Sequence, residues 1–309
     1  MVIAGPTAGG KSALALALAR EFGGVIINAD SQQQYRDLPI LTARPTPDEI
    51  AQAPHRLFGD FAPNDSGSAA DWATRAEAEI RAAGDALPIL VGGTGLYLRA
   101  LTEGLAFIPQ VPADVREGAR ALMTEIGNDV FHARLIARDP AAARLAPGDT
   151  QRNLRAFEVI EATGVSLWEW QARAPQPPFP LRTFNIFLGP PRADIIAACD
   201  ARFNAMIRAG AVEEVRALLA SGVARDAPVM KILGANQIAD HLAGATRLGE
   251  AITLAQAATR QYAKRQATWF RNQFRADLAL GQRFAPELVT GVFGRVRAAL
   301  SEPVDNWRN

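Results

Sequence analysis

The sequence predicts an α/β fold: a mostly parallel sheet core flanked by helices, with a helical insertion domain. Three observations predict it. Apolar runs of strand length alternate with helical patterns through residues 1–105, the signature of strands joined by crossover helices. Two of those runs end directly in glycine-rich turns that open helices. Two proline-rich stretches, Ile108–Pro112 and Ala174–Pro180, bracket a segment in which every strong pattern is helical.

The elements follow in order. Val2–Ala4 is the end of a short apolar strand, and Leu14, Leu16 and Leu18 with interleaved alanines open a helix. Between them Gly5 to Ser12 read G-x-x-x-x-G-K-S, the phosphate-cradling P-loop pattern, so the core is expected to be P-loop NTPase-like. In such a turn the glycines let backbone N–H groups point inward, and the helix N-terminus adds positive potential. Thr7, Ala8, Gly9, Gly10, Lys11 and Ser12 form the expected phosphate nest. Lys11 supplies the mobile cation and Ser12 a hydroxyl for a phosphate-bound Mg²⁺. Val25–Ala29 is a buried strand ending at Asp30-Ser31, Asp71–Ala83 a helix, and Pro88–Val91 a third strand running into Gly92-Gly93-Thr94-Gly95 and another helix. Thr183–Leu188 reads as a strand returning to the sheet, followed by long helical stretches near 192–221 and 247–275. The expected core is therefore 1–109 with 182–309, and the insertion 110–181.

Composition narrows the setting. The chain has 309 residues, 49% of them hydrophobic, enough for a real core. Its 33 Lys and Arg against 32 Asp and Glu give a formal charge of +1, so any nucleic-acid surface has to be local. The single cysteine, Cys199, excludes an internal disulfide framework and fits a reducing compartment. With no leader and no bilayer-length apolar run, a soluble cytoplasmic protein is expected.

In open parallel sheets ligands sit beyond the carboxyl ends of the strands. Asp30 and Thr94 both lie at such ends and are expected to face the P-loop crevice. A carboxylate there holds a metal through water, accepts a proton from an attacking nucleophile, or merely caps a turn. Ser31, Gln32, Gln33 and Tyr35 add hydroxyl and amide groups, and a glutamine amide can bond adenine bidentately. Thr94 sits in a second anion-friendly turn. Arg152 and Arg155, three apart, share a helix face suited to a phosphodiester backbone or to plain solvation. Between Thr259 and Arg275, Arg260, Lys264 and Arg271 fall within about 40° of one another on a helix, interleaved with Tyr262 and Trp269. Such a stripe is either an RNA surface or a solubilising face.

Taken together these segments resemble the tRNA dimethylallyltransferase family, the tRNA prenyltransferases that form isopentenyl-adenosine. The resemblance rests on Gly5–Ser12, Asp30-Ser31-x-Gln33-x-Tyr35, Thr42–Thr46, Gly92–Tyr97, Gln151-Arg152-x-x-Arg155, Glu213-Glu214-Val215 and Thr259–Arg271, in the family's order and across nearly the whole chain. Arg56, where the family commonly has a second histidine, departs from the pattern without removing a reacting group. No zinc-finger tail of Cys and His follows, as in the bacterial form. The resemblance implies that the P-loop grips the diphosphate of dimethylallyl diphosphate rather than ATP. It implies as acceptor N6 of the adenine 3′-adjacent to the anticodon (position 37) in tRNAs reading codons that begin with U. Asp30 would be the base, with Thr94, Arg202, Lys11 and Ser12-bound Mg²⁺ stabilising the leaving group. Asp30, Ser31, Gln32, Gln33 and Thr94 would contact the target nucleotide. Arg116, Gln151, Arg152, Asn153, Leu154, Arg155, Lys264 and Arg271 would hold the RNA, the insertion clasping the anticodon stem-loop of a tRNA bound by a monomer. Two rival readings use the same P-loop: a small-molecule kinase, which leaves the basic helix without a purpose, and a nucleotide-gated RNA-binding switch, which leaves Asp30 and Thr94 without a role.

Overall fold

The apolar runs assemble into one six-stranded sheet in which every pairing is parallel. Its strands are β1 (Val2–Ala4), β2 (Gly24–Asn28), β3 (His55–Arg56), β4 (Leu87–Gly92), β5 (Asn185–Leu188) and β6 (Leu278–Leu280). They lie in the order β3-β2-β4-β1-β5-β6. The computed structural model describes residues 1–301 other than Ala174, Gln176 and Pro178. The proline-rich boundary at Ala174–Pro180 thus lies partly outside the described residues. Strands buried on both faces need continuous apolar sequence. Val2, Ile3 and Ala4 satisfy this with no exposed surface at all.

Strand order positions the chemistry. β2, β4 and β1 are consecutive neighbours, so the turns that follow them all open at the same edge of the sheet. Those are the three segments singled out above: Asp30-Ser31, Gly92–Gly95 and Gly5–Ser12.

Among the described residues twelve α-helices accompany the sheet. In the first half α1 (Lys11–Phe22) buries Leu14, Ala15, Leu18 and Ala19. α2 (Pro47–Gln52) and α3 (Ala69–Ala82) each start in a capping box, Thr46 with Glu49 and Ser68 with Asp71. α4 (Gly95–Thr102) leaves the Gly92–Gly95 turn. Next come α5 (Ala113–Arg138), α6 (Thr150–Thr163) and α7 (Leu167–Gln171). The chain ends with α8 (Arg192–Arg208), α9 (Ala211–Ala220), α10 (Ala235–Leu242), α11 (Leu248–Gln273) and α12 (Val289–Ser301). A buried cluster on Ile3, Leu14, Leu18, Ile26, Ile89 and Ile186 joins the sheet to α1, and a second one joins α9 and α10 to the loop around Leu38 and Leu41.

The chain divides into two compact units, Met1–Thr102 with Phe179–Asn309, and Glu103–Pro178. The second unit begins before the expected residue 110 because Ile108 and Val111 pack into its own core, on Phe131, Leu135, Phe157 and Ile160. Within it α5 breaks at Gly127, which leaves helical geometry at φ 76°.

One expected element differs, and two short strands went unpredicted. The helical stretch at 192–221 is two helices, α8 and α9, parted at Gly210, whose φ of 105° suits glycine and interrupts a run of good helix formers. The edge strands β3 and β6, two and three residues long, are too short to show alternation.

Candidate active site

The P-loop turn packs its own lysine inward. Lys11 is buried, and its Nζ donates to the Pro6 carbonyl at 2.9 Å. Desolvation pulls its pKa down to about 8, opposed by Asp30 and assisted by the positive Arg202. Ser12, next along the helix, is exposed. Thr7 is held from two sides: Arg202 Nη2 donates to its hydroxyl, and its backbone N–H donates to Gln266 Oε1 at 2.8 Å. Arg202 comes from α8 and lines the same cavity; burial lowers its pKa against the opposing pull of Cys199 and Asp30. Arg283, which no motif flagged, donates from Nε to the Ala8 carbonyl at 3.0 Å.

Asp30 does two things at once. Its Oδ1 accepts from the Gln32 N–H at 3.0 Å, capping the short helical turn Ser31–Gln34. Its own N–H donates to Asn28 Oδ1 at 2.8 Å, which fixes the strand-to-turn geometry. Oδ2 accepts no protein hydrogen bond among the described residues, so one carboxylate oxygen remains for a ligand. Thr94 stands across from it: Oγ1 accepts the Ser31 N–H at 2.9 Å, and its N–H donates to the Ala29 carbonyl at 3.1 Å. Tyr262 lines the same cavity from α11, and Thr94 and Asp30 both act on its hydroxyl. Burial, with Asp30 adding to it, drives that phenol well above its ordinary range, so it stays a neutral hydroxyl.

One cavity of about 850 Å³ is lined by the whole Thr7–Ser12 nest, Asp30, Gln32, Gln33, Tyr262, Arg202 and Arg283, with Thr94 and Ser31 outside its lining. Its remaining wall is largely apolar, with Ile40, Leu41, Ala198, Cys199, Phe203 and Met206. Glu214, half-buried on α9, holds one side of the opening by accepting the Ile40 and Leu41 N–H groups at 2.7 and 2.9 Å.

Several expected contacts change. Gln33 is not free to read adenine bidentately, because its Nε2 already donates to the Thr42 and Ala43 carbonyls at 3.0 and 2.7 Å. Gln32 likewise spends its Oε1 on the Leu233 N–H at 3.2 Å. Gln33 thus offers an acceptor and Gln32 a donor. Asn153, expected at the RNA, is fully buried, bonded to His132 Nδ1 at 2.9 Å and to the Ala146 carbonyl at 2.8 Å, so its side chain is committed inside the helical unit. Its neighbours Gln151 and Arg152 are exposed, Leu154 and Arg155 partly so. Arg152 pairs with Asp149 at 3.1 Å and Arg155 with Glu158 at 3.7 Å. Both pairs are local; the first is solvent-facing and therefore weak, whereas Glu158 in the second is buried. Arg116 is exposed on α5, and Lys264 and Arg271 on α11. Arg260 leaves the basic stripe, since Asp200 takes it at 2.7 Å.

The comparisons with known proteins bear on this site directly. The IPP transferase family model matches residues 33–273. A tRNA dimethylallyltransferase of Paramagnetospirillum magneticum is 50% identical over 97% of this chain and 96% of its own. The chain belongs to the IPP transferase family. Among solved structures of the family, the tRNA isopentenylpyrophosphate transferase of Bacillus halodurans superposes with a TM-score of 0.68 at 31% identity, covering 97% of this chain and 95% of that one. A eukaryotic dimethylallyltransferase captured acting on tRNA gives 0.79 at 25% identity, over 99% of this chain and 79% of that one. The family's P-loop NTPase-like fold is the one seen here, and the kinase reading has no support from these relatives. Among the described residues no helix is long and apolar enough to cross a membrane.

Proposed function

We propose that the protein transfers the dimethylallyl group of dimethylallyl diphosphate to N6 of the adenine 3′-adjacent to the anticodon, in tRNAs reading codons that begin with U. The observation that carries this is the meeting, in one cavity, of a phosphate-cradling turn and a carboxylate with a free oxygen. A phosphate nest serves the leaving group and the carboxylate serves the nucleophile, with an apolar wall for the prenyl carbons between.

The N6 lone pair attacks C1 of the allyl group while the C1–O bond breaks and its electron pair leaves with diphosphate. The N6 proton passes to Asp30 Oδ2. That amine is delocalised into the purine ring and nucleophilic only as the proton departs, which gives a positioned base its leverage. Lys11, Arg202 and the inward N–H groups of the nest meet the negative charge that develops on the departing oxygens. The un-ionised Tyr262 hydroxyl presents a donor beside the base, and Thr94 braces the Ser31 turn behind it. The target base reaches a cavity this deep only by leaving the anticodon stack.

A Mg²⁺ fits the donor set as a companion of the diphosphate. Among the described residues no group of three or more His, Cys, Asp or Glu could cage an ion, whereas Ser12 stands exposed at the start of α1. Mg²⁺ commonly keeps its waters and takes one or two protein ligands plus phosphate oxygens. When bound it would neutralise charge on the leaving group. Arg116, Gln151, Arg152 and Arg155 would hold the tRNA backbone from the helical unit, and Lys264 and Arg271 from α11. A cytoplasmic monomer is the working form.

Calorimetry with dimethylallyl diphosphate and Mg²⁺ tests this reading at the donor site. Binding is expected, with no hydrolysis of ATP whether tRNA is present or absent. ATP turnover would reinstate a phosphoryl-transfer enzyme.

In the free protein Lys11 is about half-protonated at pH 8, and an anion beside it raises its pKa again. Diphosphate binding at pH 8 is therefore expected to take up roughly half a proton more in the wild type than in Lys11→Arg, a difference vanishing near pH 6. Calorimetry in buffers of different ionisation enthalpy reads it, and equal uptake by both proteins would mean that Lys11 keeps its proton throughout. Separately, Arg152→Ala with Arg155→Ala is expected to weaken tRNA binding about tenfold or more and to flatten its salt dependence by up to two counterions, with dimethylallyl diphosphate affinity unchanged. Filter binding across a salt series checks it; an unchanged slope would make that face solvated surface only.

A further inference from the structure

We propose that Gln266 is a positioning residue for the transfer step, its buried amide fixing the spacing between the turn that grips the leaving group and the turn that carries Thr94. The inference rests on the proposed function, and concerns a residue that touches neither substrate.

The β1–β4 ladder ends at the pair Ala4 and Gly92, where the two turns begin. Beyond that point a side chain joins them. Gln266, 5% exposed on α11, accepts the Thr7 N–H at 2.8 Å through Oε1 and donates to the Gly93 carbonyl at 2.9 Å through Nε2. Gly93 makes room for it: a Cβ there would lie 2.1 Å from Nε2 and 3.5 Å from Asp30 Oδ2. Inward N–H groups of a P-loop serve phosphate, yet Thr7 turns its N–H to this amide instead. One bond further on, the Thr7 hydroxyl receives Arg202, and Thr94 fixes the Ser31 N–H. The amide therefore sits between the groups assigned to the leaving group and those assigned to the base. Misplacement by about 1 Å between reacting partners costs on the order of 10²-fold in rate.

Helix periodicity makes the amide stand out. The buried face of α11 carries Ala255, Thr259, Ala263, Gln266 and Phe270, and Gln266 is its only amide. A long polar side chain on such a face has to find both a donor and an acceptor, or it destabilises the protein.

The test uses two variants of the full chain. Gln266→Leu keeps the approximate volume and removes both bonds; single-turnover transfer is expected to fall about 10²-fold, with KM for dimethylallyl diphosphate within about threefold. Gln266→Glu behaves differently with pH. Ionised, its carboxylate accepts from Thr7 but meets the Gly93 oxygen with a lone pair. Protonated, which burial favours, its O–H donates to that oxygen and both bonds return. Its rate relative to wild type should therefore climb several-fold from pH 8 to pH 6, while the Gln266→Leu ratio stays flat. The charged and titratable groups that face the brace are Asp30, Lys11, Arg202 and Tyr262; all are retained in the neutral Gln266→Leu, so its flat ratio is the reference against which the Gln266→Glu climb is read. A flat Gln266→Glu ratio, or a wild-type rate in Gln266→Leu, overturns the proposal. Amide exchange is independent of activity: in Gln266→Leu both the Gly5–Ser12 and Gly92–Gly95 turns should exchange at least about tenfold faster. Unchanged exchange also overturns it. A wild type that transfers nothing would instead defeat the functional reading, leaving exchange to decide the brace.

Discussion

Asp30→Asn is expected to keep the fold and tRNA binding while losing two or more orders of magnitude in the transfer step. The substitution is nearly isosteric, and an amide oxygen can still accept the Gln32 N–H that Asp30 Oδ1 accepts at 3.0 Å, so the turn Ser31–Gln34 keeps its cap. What disappears is the proton acceptor at Oδ2. Positioned bases contribute roughly 10²–10⁴-fold, and an amine whose lone pair is committed to the purine ring stands to lose at the upper part of that range. Single-turnover transfer at saturating tRNA isolates the step. A rate within about threefold of wild type would show that Asp30 is only a turn cap, the reading its hydrogen bonds alone permit.

Arg202→Met is expected to cost about 10²–10³-fold in transfer, or about 2.7–4 kcal/mol of transition-state stabilisation, as for loss of one preorganised donor to a developing anion. The guanidinium lies in a desolvated position where its charge acts with little screening, and its bond to the Thr7 hydroxyl aims it at the nest. Arg202→Lys should recover little, because a point charge on a flexible stem cannot bond Thr7 and the departing oxygens together. Thr7→Ala separates aiming from charge and is expected to cost only about tenfold. An Arg202→Met enzyme with wild-type kcat and a raised KM alone would assign the arginine to ground-state binding.

Local chemistry was legible in the chain; distant partnership was not. The Gly5–Ser12 turn, the strand ending at Asp30 and the Gly92–Gly95 turn announce themselves because each is a short run with its strand and helix attached. Parallel sheets bring such strand ends to one edge, so their convergence followed from the α/β reading. Arg202 offered no local partner, and Thr7 lies 195 residues away. Gln266 is 259 residues from Thr7 and 173 from Gly93. Arg260 and Asn153 misled for the converse reason: residues that look free on a helix wheel find Asp200 sixty residues away and His132 twenty-one residues away. Glu214 and Arg283 act on backbone groups of other turns, and no side-chain motif encodes such a contact. Gly210 was visible as a glycine, but only its left-handed backbone distinguishes a helix break from a tolerated interior residue.

The most direct test of the central claim is to incubate the protein with Mg²⁺, allyl-labelled dimethylallyl diphosphate and unmodified tRNA reading a codon that begins with U, then locate the label by nuclease digestion. Label on N6 of the adenine 3′-adjacent to the anticodon, one equivalent of diphosphate released per label, and none in Asp30→Asn is the predicted result. Unlabelled tRNA from a folded protein that binds both substrates, or label undiminished in Asp30→Asn, would contradict it.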